Sequence, residues 1–249
     1  MYLLRDSFPE RPALDVAVSH ALLLRVARGE LAPAVRLYRP APTLAFGRLD
    51  ALRPGFAEAG DAARDAGFAP IVRLAGGHAA AYHEESLIYE EIVAQHDVTA
   101  GLHDRFRDGA DLLAGALAGL GVETQVGEIP GEYCPGAYTV SAAGRLKLVG
   151  SAQRAVRGGA LLSAFILVGD GARLRAALFD VYRALEIAWR PATAGALDDV
   201  APGVTLAAVQ EAVLAARGAD ADLIPATVDA ETLAMARTLE QRHRWPYEA

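Results

Sequence analysis

Apolar residues recur at Leu14, Val18, Leu22 and Val26, and this spacing by four predicts an amphipathic helix that Gly29 stops. The period then shortens. Residues 34–38 and 43–46 read as short strands parted by Pro40 and Pro42, and 54–66 as a second helix ended by Gly67 ahead of the apolar pair Ile71-Val72. The glycine pair Gly76-Gly77 marks a loop. After it, the stretch from Ser86 to Val93 alternates with apolar residues at both phases, as expected of a strand buried on one side or nearly both. Leu102, Phe106, Leu113 and Leu117 then form one helical stripe, closed by Gly119 or Gly121.

Residues 137–168 predict a run of antiparallel strands, with turns at Ala142-Ala143-Gly144 and Arg157-Gly158-Gly159. Beyond them the pattern is helical, and Asp170, Thr205 and Asp229 stand where N-caps belong. Hairpin-linked strands interspersed with helices indicate an α+β (α/β) fold, a mixed and largely antiparallel sheet flanked by helices. No internal repeat or low-complexity linker divides the chain. We therefore expect a single domain over 1–249, in which 1–168 holds the motif-bearing core and 169–249 a helical C-terminal part.

A chain of 249 residues that is 53% hydrophobic can bury a sizeable core. Its formal charge of −7 argues against nucleic acid as a partner, because phosphates are met with a basic face. The N-terminus lacks the charged and apolar regions of a secretory signal, and no apolar run reaches membrane-spanning length. With one cysteine there can be no internal disulfide, which fits the reducing cytoplasm. The same count removes the common thiolate zinc sites, no other ligand cluster stands out, and no metal is expected.

One count changes the picture. Lysine and arginine total 24, yet only Lys147 is a lysine, leaving 23 arginines, and the sole cysteine, Cys134, lies thirteen positions before it. A chain that uses arginine for every ordinary cation keeps lysine where it needs a compact ammonium that can also shed its proton, or keeps it by compositional accident. A thiolate is a good nucleophile for two-step acyl transfer, and a nearby ammonium lowers a thiol pKa and can donate to an oxyanion. Histidines are less distinctive. His78 and His83 read as ordinary surface or core residues, His103-Asp104 as part of a solvated helix face, and Gly76-Gly77 taken alone as a turn.

Three stretches, in this order, carry a resemblance: Arg73-Leu74-Ala75-Gly76-Gly77-His78, then Tyr133-Cys134-Pro135-Gly136, then Gly144 to Arg154 with Lys147 and Gly150-Ser151-Ala152-Gln153. Together they resemble the biotin/lipoate protein ligase and octanoyltransferase superfamily, and Cys-Pro-Gly ahead of the lysine is similar to its octanoyl amidotransferase branch. The likeness spans roughly residues 34–168. It implies a biotin/lipoyl synthetase-like catalytic domain in which Cys134 and Lys147 are catalytic and Arg73, Gly76, Gly77, His78, Gly150 and Ser151 bind substrate. The Gly158-Gly159 turn would lie near the pocket. One departure is that ligases and several transferases carry histidine a few positions after the glycine pair, where this chain has Tyr82 followed by His83.

The resemblance further implies transfer of an octanoyl or lipoyl group, through a cysteine thioester, to a lysine of a lipoyl carrier domain. That carrier is of the glycine cleavage H protein or 2-oxoacid dehydrogenase E2 kind. The donor is another octanoylated lipoyl domain or acyl carrier protein, and no cofactor is needed. An ATP-dependent lipoate-protein ligase using Lys147 without a cysteine intermediate is the alternative. A non-catalytic acyl- or carrier-binding homologue is a third reading, kept open by Tyr82.

Overall fold

The computed structural model describes residues 1–97 and 101–246. In chain order its elements are β1 (Tyr2–Leu4), α1 (Pro12–Ala27), β2 (Ala34–Tyr38), β3 (Thr43–Phe46), α2 (Phe56–Asp65), β4 (Ala69–Val72), β5 (Ala80–Tyr82) and β6 (Ser86–Gln95). They continue as α3 (Leu102–Ala118), β7 (Thr124–Val126), β8 (Val140–Ala142), β9 (Leu146–Val156), β10 (Gly158–Leu167), α4 (Gly171–Ala184), α5 (Leu206–Asp220), β11 (Ile224–Ala226) and α6 (Ala230–Leu239).

Local chemistry accounts for most boundaries. Leu14, Val18, Leu22 and Val26 are all buried, and Gly29 takes φ +72° past the end of α1. The side chains of Asp170, Thr205 and Asp229 accept from Arg173 N, Ala208 N and Thr232 N at 3.2, 3.2 and 2.7 Å, so all three expected N-caps form. Ala143 and Gly144, at φ +47° and +67°, make the β8–β9 turn, and Gly158 at +94° makes the β9–β10 turn.

The main sheet has eight strands in the order β11-β1-β2-β6-β10-β9-β8-β7, parallel through β11-β1-β2 and antiparallel from β2 onwards. A second sheet, β4-β3-β5, pairs β3 parallel to β4 and antiparallel to β5. The expected mixed, largely antiparallel sheet flanked by helices is therefore present. β11 lies in the stretch read as wholly helical, and it pairs with β1, so the C-terminal part contributes an edge strand to the main sheet.

Two apolar layers cover the main sheet: α3 and α5 with Leu113, Leu117, Val209 and Val213 on one side, α1 and α6 with Leu14, Leu22, Ala236 and Leu239 on the other. A third cluster joins the small sheet to α2 and α4 through Phe46, Phe68, Leu178 and Tyr182. Beneath α1, the fully buried Arg36 donates to Asp15 Oδ1 at 2.5 Å and lies 3.6 Å from Glu90. Burial of charge without partners is costly, and here each charge has one. Among the described residues no helix is long and apolar enough to cross a membrane.

Candidate active site

The glycine loop after β4 meets the Cys134 loop between β7 and β8, and β9 passes beneath both. Gly77 has φ +93°, and a Cβ there would come within 2.5 Å of Arg73 Nη2 and 2.8 Å of Cys134 Sγ. Glycine is thus required twice, by the backbone and by the close approach. Gly76 has open space around its Cα. The loop is braced from behind: Asp50, fully buried, accepts from Gly47 N at 2.9 Å and faces His78 Nδ1 at 2.8 Å.

Cys134 is half-buried and takes φ +41°, a left-handed conformation rare for a side-chain-bearing residue. Its N–H donates to the Tyr182 hydroxyl, which donates onward to Ala79 O, both at 2.8 Å. Its sulfur lies 3.3 Å from Arg73 Nη2, which also donates to His78 O at 2.7 Å. Arg73 Nε is buried and has no partner among the described residues.

Lys147 on β9 is 1% exposed and makes three contacts through Nζ: Glu132 Oε2 at 2.7 Å, Tyr133 O at 3.1 Å and Cys134 O at 2.8 Å. An ammonium has three protons, and here each has an acceptor. The sequence-based role, donation to an oxyanion, would require Lys147 to give up one of them. Glu132 in turn accepts from Ile129 N at 3.0 Å, Thr139 Oγ1 at 2.8 Å and, at 3.5 Å, Gly136 N, so one carboxylate gathers the whole Cys134 loop. Tyr133 is buried above Lys147, its phenol pushed well above the usual range by burial first and then by its electrostatic interaction with Cys134 and Glu132. The Tyr182 phenol is raised in the same way, by burial first and by Cys134 next.

These groups border a cavity of about 380 Å³ lined by Arg73, Gly76, Gly77, Cys134, Lys147, Gly150, Ser151 and Phe165, with Leu102, Phe106 and Tyr138 towards α3. A Cβ on Gly150 would come within 2.5 Å of Phe165 and 2.9 Å of Lys147 Cε, so that glycine lets β9 pass under the lysine. Of the expected substrate-binding residues, His78 alone stands off this cavity and faces Asp50. His83 is also remote from it: it is fully buried and accepts from Glu85 N at 3.1 Å. His103, read as part of a solvated helix face, is exposed but lines the cavity and lies 3.2 Å from the Tyr138 hydroxyl. Its neighbour Phe106 stacks on Tyr138 at 5.3 Å. Sequence reasoning missed Glu132, Tyr182, Phe106 and Tyr138; only the closeness of Glu132 to Cys134 along the chain could have pointed to one of them. Among the described residues no cluster of His, Cys, Asp or Glu could hold a metal ion.

The family model of the lipoyl protein ligase A/B catalytic domain matches residues 11–217. An octanoyl-GcvH:protein N-octanoyltransferase of Geobacillus kaustophilus is 32% identical over 162 residues, 65% of this chain and 57% of the relative. Its counterpart in Anoxybacillus flavithermus is 33% identical over 161 residues, 63% and 56% of the two chains. The match thus spans little more than half the length of these curated relatives. Among solved structures, a lipoate-protein ligase A bound with ATP superposes with a TM-score of 0.78 at 20% identity, covering 97% of this chain and 94% of that one. A bi-partite lipoate protein ligase of Thermoplasma acidophilum, solved in a study with its E2 lipoyl domain, gives 0.75 at 20% identity, covering 97% and 92%. At such identities the likeness is one of fold.

Proposed function

Because the chain belongs to the lipoyl protein ligase A/B catalytic domain family, we propose that it transfers an octanoyl or lipoyl group, through a Cys134 thioester, to a lysine of a lipoyl carrier domain. The observation that carries this reading is the sole cysteine itself, held at φ +41° on the wall of the cavity with an arginine 3.3 Å from its sulfur. Arg73 thus stands beside the reacting sulfur, within reach of a hydrogen bond to it.

In the first half-reaction the Cys134 thiolate attacks the acyl carbonyl, the oxyanion collapses, and the donor amine or thiol leaves with a proton. In the second, the carrier lysine amine attacks the thioester and loses a proton, and Cys134 departs as thiolate. One acyl bond is exchanged for another, so the reaction consumes neither a nucleotide nor a redox equivalent, and we propose no cofactor. The Arg73 guanidinium, whose Nη2 lies 3.3 Å from the Cys134 sulfur, is the donor nearest the oxyanion. Lys147 and Glu132 hold the cysteine loop in its strained form, and Gly150, Ala152 and Phe165 offer the acyl chain an apolar wall at roughly 0.8 kcal/mol per buried methylene.

The names of the relatives support octanoylated GcvH as donor and a protein as acceptor, which we propose is a second lipoyl domain such as that of an E2 subunit. Acyl carrier protein is the other candidate donor. A free nucleophilic thiol suits the reducing cytoplasm. The test is transfer from an octanoylated H protein to an apo E2 lipoyl domain without ATP. Wild type should transfer, and Cys134→Ala should fail with its melting temperature unchanged. Turnover by Cys134→Ala that depends on ATP would replace this reading by the ligase.

A further inference from the structure

A second cavity, of about 260 Å³, shares Arg73 with the cysteine cavity but is otherwise built from different residues: His20, Arg48, Arg154, Arg242 and His243 line it. They come from α1, the loop after β3, β9 and the turn after α6, and the last three of these segments each bring an arginine to one hollow. In a chain of net charge −7 this concentration is unusual. Arg48, Arg154 and Arg242 are exposed, and among the described residues their side chains make no ion pair or hydrogen bond. Elsewhere arginines are commonly paired, as Arg25 is with Asp229 and Glu231 and Arg217 with Glu91.

The floor is polar and neutral. His243, 3% exposed, lies 2.8 Å through Nδ1 from Val72 O, and its Nε2 lies 3.1 Å from His20 Nδ1. The first contact needs a proton on Nδ1, so Nε2 accepts from His20 and both rings are satisfied without charge. Burial first, then His243 and the three arginines, holds His20 down at about 4, so the ring stays uncharged at neutral pH.

We propose that this hollow is a binding site for a compact, multiply charged oxyanion of the phosphate class. Converging guanidinium forks without carboxylate partners match such an anion in charge and in bidentate geometry, whereas a single carboxylate would leave most of the charge unmet. The phosphate chemistry could come from free pyrophosphate or from the phosphate chain of a nucleotide. The site stands apart from the acyl-transfer reading, and its test is read on unacylated protein, so either can fail alone.

The experiment is calorimetric titration of the full chain with inorganic phosphate, pyrophosphate and ATP, using acetate as the monovalent control. Pyrophosphate should bind at least roughly tenfold more tightly than acetate, and the Arg154→Gln/Arg242→Gln double variant should lose at least roughly tenfold of that affinity. Arg48→Gln should weaken binding, and Arg107→Gln, on a distant exposed pair with Asp104, should not. Equal wild-type affinities for pyrophosphate and ATP would assign the phosphate chain alone, and tighter binding of ATP would assign a nucleotide with further contacts. The substituted arginines are exposed, so an unchanged melting temperature verifies the fold. No binding of any phosphate probe overturns the proposal, as does binding that the double variant retains.

Discussion

Lys147 is buried to 1% exposure with all three ammonium protons engaged, and it sits against Gly150, where a Cβ would already come within 2.9 Å of its Cε. A planar guanidinium cannot reproduce three divergent donors in that space. Lys147→Arg should therefore displace the Cys134 loop, and octanoyl transfer should fall by roughly 10²-fold or more at low and high carrier concentration alike. Glu132→Gln removes the charge that balances the lysine, and breaking a buried pair from one side costs about 3–5 kcal/mol, to be read by denaturant unfolding. Wild-type rates in Lys147→Arg would return the lysine to compositional accident. The sequence made Lys147 and Cys134 legible because each is the only one of its kind. Glu132 was hidden among 31 acidic residues, and Tyr182 lies 48 positions from the cysteine amide it meets, so their roles exist only once the chain is folded.

The glycine loop separates steric need from mere turn formation. A side chain on Gly77 meets both Arg73 and Cys134 and is strained at φ +93°, whereas one on Gly76 meets nothing within 4 Å. Gly77→Ala should lower the transfer rate by roughly tenfold or more with a smaller change in stability, and Gly76→Ala should leave both near wild type. Equal effects of the two substitutions would make the pair a simple turn. Elements with a full period were legible: α1, β2, β3 and β10 lie where alternation or fourfold spacing put them. Four of the five described three-residue strands, β1, β5, β7 and β11, were not, because three positions hold no period and only pairing defines them, whereas β8 falls within the run expected over 137–168. α3 was read correctly as a helix, but the cavity formed against its first turn brought His103 and Phe106 into the site, and one helix's pattern carries no sign of that.

Across the whole molecule, the C-terminal turn returns to the start of α1. Glu240, almost wholly buried, pairs with Arg11 and lies 3.1 Å from Arg244, and Trp245 packs between Phe46 and Phe56 with ring centroids 5.3 and 4.3 Å away. Burial raises the Glu240 carboxyl but the hydrogen bonds from both arginines outweigh it, so its folded pKa lies below the ordinary value of 4.5. A depressed carboxylate contributes stability that is present above the unfolded pKa and lost as pH falls through the folded one. Glu240→Gln should therefore lower stability at neutral pH by about 0.5–1 kcal/mol, since both arginines are partly exposed, and the gap should close below about pH 4. A gap that persists at acid pH would assign the effect to packing. This clasp joins residues more than two hundred positions apart, which sequence patterning does not register.

A Cys134 thioester is visible to intact-mass spectrometry of the full chain after incubation with an octanoylated H protein and no acceptor. The wild-type protein should gain the mass of one octanoyl group, removable by hydroxylamine and mapped to Cys134, and Cys134→Ser should gain no hydroxylamine-labile adduct. An unmodified wild-type chain that nevertheless transfers octanoyl once acceptor is added would contradict the thioester route.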